Sequence, residues 1–153
     1  MSGFENLKLD NQLCFALYAA TNAITRAYRS RLSLIGLTYP QYLVMMVLWE
    51  TDGITVKGLA EHLQIDSSTI TPLLKRLEAS GFLLRQRSVV DERLVNVFLT
   101  DSGRTIQASV AEMQKKVACQ TGLLEPQFIE LRSTLHQLVD SINENQSDVQ
   151  EAA

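Results

Sequence analysis

Residues 66–100 read DSSTITPLLKRLEASGFLLRQRSVVDERLVNVFLT, and the order of residue types there decides the fold. The start is rich in hydroxyls (Ser67, Ser68, Thr69, Thr71), apolar residues follow at helical spacing, and Gly81 stands where a helix stop belongs. Residues 82–88 and 93–99 then have the composition of two strands, joined by a charged turn at Asp91, Glu92 and Arg93. In the second strand Leu94, Asn96 and Phe98 alternate with Val95, Val97 and Leu99, which makes one face wholly apolar. Upstream, a short helix over residues 56–64 is separated from the next by Gln64, Ile65 and Asp66, the spacing of a helix-turn-helix. A helix shaped to enter a groove, followed by a basic ribbon, points to a winged helix-turn-helix with double-stranded DNA as partner.

The overall charge argues against that partner until its distribution is considered. The chain has 153 residues and a net charge of −3, whereas a DNA binder is expected to be basic. Residues 67–100, however, hold Lys75, Arg76, Arg85, Arg87 and Arg93 against Glu78, Asp91 and Glu92, a local positive excess. The acidic remainder is concentrated after Gly122. No apolar run approaches the roughly 18 residues of a membrane span, and the opening MSGFENLKLD lacks the apolar core of a signal peptide. The expectation is a cytoplasmic protein without membrane contact, whose thiols are normally reduced. Cys14 and Cys119 are therefore not a structural disulfide framework. His62 and His136 have no ligand-spaced companions and no glycine-rich phosphate loop is present, so neither metal nor cofactor is expected.

Outside the central stretch the chain reads as helices. Residues 10–32 carry Leu13, Leu17, Ala20, Ile24 and Ala27 on one face of a long amphipathic helix. Thr38, Pro40 and Gln41 form a capping-box pattern that opens a second helix, ended by Asp52 and Gly53. Thr100 caps a helix with Ile106, Val110, Met113 and Val117 on one stripe. After Pro126 a last helix carries Phe128, Leu131, Leu135, Leu138 and Ile142, and the tail 145–153 has the composition of a disordered segment. The fold class is thus mostly α with a small β-wing, one domain over 1–153. Residues 37–100 are the DNA-binding lobe, and the helices of 10–36 and 101–144 flank it. So small a centre cannot satisfy both terminal stripes, and a second copy would bury them. A homodimer also suits a palindromic DNA site.

Ser67, Ser68, Thr69 and Thr71 open the proposed recognition helix, where short hydroxyls and free backbone N–H groups favour phosphates or base edges. Lys75 and Arg76 lie further along to neutralise phosphates, and Arg85 and Arg87 alternate on one face of the first strand. Taken alone, these hydroxyls could be helix caps and these cations a solvated face. In the wing, Arg93 can enter the minor groove, with the Asp91 carboxylate holding its guanidinium through paired hydrogen bonds. The plain alternative is a surface ion pair worth under about 1 kcal/mol.

With its D-x-R wing pattern at Asp91–Arg93, the chain resembles the multiple-antibiotic-resistance regulator (MarR) family of winged-helix repressors. Four segments, DNQLCFALYAA (10–20), LTYPQYLVMMVLWE (37–50), DSSTITPLLKRLEASG (66–81) and DERLVNVFLT (91–100), are similar within that family to the organic hydroperoxide resistance regulators. The likeness spans nearly the whole chain, with flanking helices that match the family's dimerisation helices in number and order.

Cys14, Tyr18, Thr21, Thr25 and Tyr28 share one helix face. Tyr18 is one turn from Cys14, but Tyr28 is roughly 21 Å along a straight helix and must reach a thiol of another subunit. The resemblance implies that arrangement, with Tyr28 and Tyr39 of one subunit hydrogen-bonding the cysteine of the other. Phenolic donors stabilise a thiolate and lower its pKa, and the thiolate attacks a peroxide to give sulfenic acid and an alcohol. Phe15, Met45 and Met46 are candidates for an apolar surround that favours organic peroxides. The resemblance further implies that Cys119 is a resolving cysteine forming an intersubunit disulfide with Cys14; its plain alternative is filler at the end of an apolar stripe. The reading is a dimeric repressor, not an enzyme, that releases its operator when an organic hydroperoxide oxidises Cys14. A repressor released by a small phenolic ligand and, more remotely, a thiol peroxidase are the alternatives.

Overall fold

The computed structural model describes residues 4–151. Two 3₁₀ turns, Glu5–Leu7 and Leu9–Asn11, lead into helix α1, Leu13–Leu32. The helix starts after Gln12, whose extended backbone precludes an earlier start. A further 3₁₀ turn, Ser33–Ile35, ends on Gly36 at φ +80, a left-handed conformation that glycine adopts without a Cβ clash. Helix α2, Tyr39–Glu50, opens on the expected capping box. The Gln41 N–H donates to Thr38 Oγ1 at 3.4 Å and the Thr38 N–H donates to Gln41 Oε1 at 2.8 Å. This closure lets the Gln41 amide side chain be buried in the core.

Helix α3, Val56–Leu63, is capped by Thr55, whose Oγ1 accepts from the Gly58 N–H at 3.0 Å. Gln64, in left-handed conformation at φ 53, turns the chain towards helix α4, Ser67–Ala79. Pro72 lies inside α4 and removes one helical N–H donor, yet the helix continues because Ile70, Leu74 and Leu77 are anchored in the core. Strand β1, Leu83–Arg87, pairs antiparallel with β2, Val95–Leu99, with Leu83 opposite Leu99 and Arg87 opposite Val95. A pairing not read from the sequence completes the ribbon. The Val97 N–H donates to Ile54 O at 2.8 Å, the Gly53 N–H donates to Val97 O at 3.0 Å, and Thr55 bridges Asn96. The core is made by the end of α1, by α2, α3 and α4 and by the inner faces of both strands, with Leu32, Val44, Met45, Leu48, Leu59, Ile70, Leu74, Leu77, Leu83 and Val97 fully buried.

Thr100 caps the next helix as expected, accepting from the Gly103 N–H at 3.1 Å. The single helix anticipated there is interrupted at Ile106: α5, Asp101–Thr105, is followed by α6, Gln107–Gln120. The Ile106 N–H reaches Ser102 O only at 3.3 Å, a stretched bond at the break. Val110, Met113 and Val117 are buried, which is the stripe the periodicity gave.

Two compact units are present, Met1–Val117 and Ala118–Ala153. The second holds helix α7, Glu125–Glu151, with Pro126 in its first turn and the Leu124 N–H donating to Gln127 Oε1 at 3.0 Å. Helix α7 runs on through Glu151, and no glycine or proline after Pro126 interrupts it. Residues 152 and 153 lie outside the described residues. Among the described residues no single helix is long and apolar enough to cross a membrane, and no group of three or more His, Cys, Asp or Glu could hold a metal ion.

Candidate nucleic-acid interface and thiol site

Ser67, Ser68 and Thr69 stand exposed on the first turn of α4, while Thr71 is half-buried and its hydroxyl donates to Ser67 O at 2.8 Å. Asp66 precedes the helix without a side-chain cap bond, so the first N–H groups of α4 are not closed by it. Lys75 and Arg76 are exposed further along the same helix. The start of α4 and the base of the wing line one cleft of about 350 Å³, which Lys57, Ser67, Thr71, Arg85 and Arg93 share. Lys57, at the start of α3, adds a cation there that the sequence reading passed over. Its 3.9 Å approach to Glu61 is a loose, exposed pair.

The two wing arginines differ. The Arg85 guanidinium donates to Glu78 Oε2 through Nε at 3.1 Å and Nη2 at 2.7 Å, and the Arg85 backbone N–H donates to Glu78 Oε1 at 2.9 Å. Those bonds hold the Glu78 carboxyl below its ordinary value and tie the last turn of α4 to β1. Arg87, on the same strand, is exposed. Arg93 has a side chain 94% exposed, and its Nε lies 3.8 Å from Asp91 Oδ1. The paired hydrogen bonds expected between these two side chains are therefore corrected. Asp91 Oδ1 accepts instead from the Arg93 backbone N–H at 3.0 Å, so it shapes the turn and leaves the guanidinium free to reach outward.

Cys14 is exposed on the first turn of α1, among exposed Leu13, Phe15 and Tyr18. Tyr28 is buried near the far end of α1, and the single chain does not bring it to Cys14. Its ring stacks on Tyr42 and tilts against Tyr39, with centroids 5.3 Å away in both cases. Tyr42, not singled out in the sequence, is thus the third ring of the cluster; its spacing from Tyr39, three residues along one helix, was the available signal. Burial first, and then the neighbouring Tyr28, push the hydroxyl pKa of both Tyr39 and Tyr42 upward, keeping them neutral hydrogen-bond donors. Met45 is fully buried in the core and so cannot surround the thiol as anticipated. Cys119 is exposed near the end of α6.

The MarR family model matches residues 37–95. The organic hydroperoxide resistance transcriptional regulator of Bacillus subtilis (strain 168) is 37% identical over 141 residues, 92% of this chain and 96% of that protein. This chain belongs to the MarR family. As a MarR-family protein it is a transcriptional regulator, and a solved structure of reduced AbfR bound to DNA has the same fold. That structure matches at a TM-score of 0.79 and 34% identity, covering 94% of this chain and 98% of AbfR. The HTH-type transcriptional regulator TtmR of Methylorubrum extorquens (strain PA1) is 54% identical over 115 residues, 75% of this chain; the chain spans only 59% of TtmR's length. The residues matched by the MarR family model run from the start of α2 into β2, so they take in Ser67 to Arg93 and Tyr39. Cys14, Tyr18, Tyr28 and Cys119 fall outside them.

Proposed function

We propose that the chain is a dimeric repressor that binds a palindromic operator while Cys14 is reduced and releases it when an organic hydroperoxide oxidises that thiol. The observation that carries the reading is the exposure of Cys14 on a helix whose apolar residues Leu13, Tyr18 and Ile24 are exposed too, in a chain similar over nearly its full length to an organic hydroperoxide regulator. A second copy laid antiparallel along α1 would cover that face and carry Tyr28 and Tyr39 towards the thiol. Ser67, Ser68, Thr69 and Thr71 would meet the major groove, with Lys75, Arg76 and Arg87 on phosphates and Arg93 in the minor groove. Arg85 would act through its hold on Glu78, and only its remaining donors would reach the backbone.

The chemistry balances without a cofactor. The Cys14 thiolate attacks the O–O bond, giving a sulfenic acid and releasing the alcohol. The Cys119 thiol of the second subunit then condenses with that sulfenic acid, releasing water and closing a disulfide. Non-reducing electrophoresis after cumene hydroperoxide tests this sequence. A cross-linked dimer in the wild type, absent in Cys14→Ser and in Cys119→Ser, is the expected result. A wild type that never cross-links removes the role of Cys119 and leaves a small cellular thiol as the cap on Cys14.

A second effector class is a small phenolic ligand held between the DNA-binding lobe and the flanking dimer helices, with Cys14 incidental. Release of DNA by salicylate that survives alkylation of both thiols would support it over the peroxide reading.

A further inference from the structure

We infer that Val89 and Val90 form an apolar wing tip that packs into the minor groove of operator DNA beside Arg93. The inference rests on the DNA-binding reading above and extends it from charge to shape. Val89 is 103% and Val90 96% exposed, so neither side chain gains anything from the rest of the chain. Turn positions favour Gly, Asn, Asp, Pro and Ser for conformational reasons, and a pair of β-branched apolar residues has no such reason to stand there.

The tip is held in one shape by its own polar groups. Ser88 Oγ accepts from the backbone N–H groups of Val90 at 3.2 Å and Asp91 at 3.3 Å. The Ser88 N–H donates to Leu94 O at 2.8 Å, the Leu94 N–H to Asp91 O at 2.9 Å, and the Arg93 N–H to Asp91 Oδ1 at 3.0 Å. With these donors satisfied internally, the loop presents methyl groups outward between the exposed cations Arg87 and Arg93. A partner for that surface is anionic at its rims and apolar between them.

The minor groove meets both requirements, with phosphates along its edges and deoxyribose C–H groups on walls about 6 Å apart. Placement selects DNA over other anionic surfaces. The base of the wing, at Arg93, Leu94 and Val95, lines the same cleft as Ser67 and Thr71 at the start of α4. A duplex lying against α4 therefore meets the wing in an adjacent groove. Apolar wedges of this kind are a known means of reading groove width and deformability.

The test uses the full chain and a duplex that the wild type selects from a random-sequence pool. The double variant Val89→Thr, Val90→Thr keeps side-chain shape and branching and changes only polarity. Its affinity for the duplex is expected to fall about tenfold, with the slope of log K against log salt unchanged because no charge is lost. Arg93→Ala, run beside it, should lower that slope by about one. Equal binding by the double variant and the wild type, or a loss accompanied by a changed salt slope, overturns the inference while the DNA-binding reading stands. Phosphatidylserine vesicles serve as the competing surface: binding there that depends on the two valines, with duplex affinity unchanged, overturns it in favour of a bilayer. A wild type that selects no duplex overturns the DNA-binding reading and this inference together.

Discussion

Glu78 and Arg85 lock the recognition helix to the wing, for one carboxylate accepts both the guanidinium and the backbone N–H of the same arginine. The Glu78 carboxyl is thereby held below its ordinary value near 4.5. A depressed carboxyl contributes stability that is fully present above the unfolded value and is lost as pH falls through the folded one. Glu78→Gln should thus lower stability at neutral pH, by under about 1 kcal/mol because the pair is partly solvated. The gap between variant and wild type in thermal melts should narrow as pH falls below the ordinary carboxyl value near 4.5. A gap independent of pH would show that the charge on Glu78 is immaterial.

Gly103 has no room for a side chain. A Cβ there would lie 2.1 Å from the carbonyl oxygen of Phe82, which is backbone and cannot rotate away. Gly103→Ala should cost at least about 1–3 kcal/mol by pushing α5 off the end of the ribbon. Denaturant unfolding checks this, and an unchanged midpoint would contradict the close packing. The same joint is closed by the Trp49 Nε1–H, which donates to Gly103 O at 3.0 Å.

Asp52 joins three elements at that joint. Its Oδ1 accepts from the Leu99 N–H at 2.8 Å, and its Oδ2 pairs with Arg104, whose Nη1 donates to Leu99 O at 2.8 Å. Asp52→Ala leaves the part-buried Leu99 N–H without its acceptor and should cost about 1–3 kcal/mol. Arg104→Ala should cost less, since Asp52 keeps the Leu99 bond. Unfolding of the two variants side by side checks the order; the reverse order would place the weight on the ion pair.

How much of this was legible in the sequence depends on range. The Thr38–Gln41 box, the Thr100 cap, the Gly81 stop and the alternation of Val95, Val97 and Leu99 are local patterns, and the chain folds as they read. The Glu78–Arg85 lock, the Asp52–Arg104 joint and the pairing of Ile54 with Val97 join residues across a turn or across the fold, where no periodicity marks them. The break at Ile106 and the continuation of α7 past 145 turn on small differences in helical propensity, which composition resolves poorly. The candidate site divides the same way. The hydroxyls and cations of α4 were evident from residue type, whereas the burial of Tyr28 against Tyr42 needed two helices packed together.

Tyr28→Phe tests the phenolic support proposed for the thiol. It removes the hydroxyl and keeps the ring stacked on Tyr42, so the fold should be retained. Loss of a donor to the thiolate should slow the reaction of Cys14 with a thiol-reactive probe near neutral pH. The comparison is made in a Cys119→Ser background, where the probe reads Cys14 alone. An unchanged rate would remove Tyr28 from the site.

The central claim is that one thiol governs DNA binding, and operator release under peroxide measures it directly. A labelled duplex selected by the reduced protein is followed by fluorescence anisotropy while cumene hydroperoxide is added, for the wild type and for Cys14→Ser. The wild type is expected to release the duplex and Cys14→Ser to retain it. A wild type that holds its DNA after full oxidation, or a Cys14→Ser variant that releases it equally, contradicts the claim.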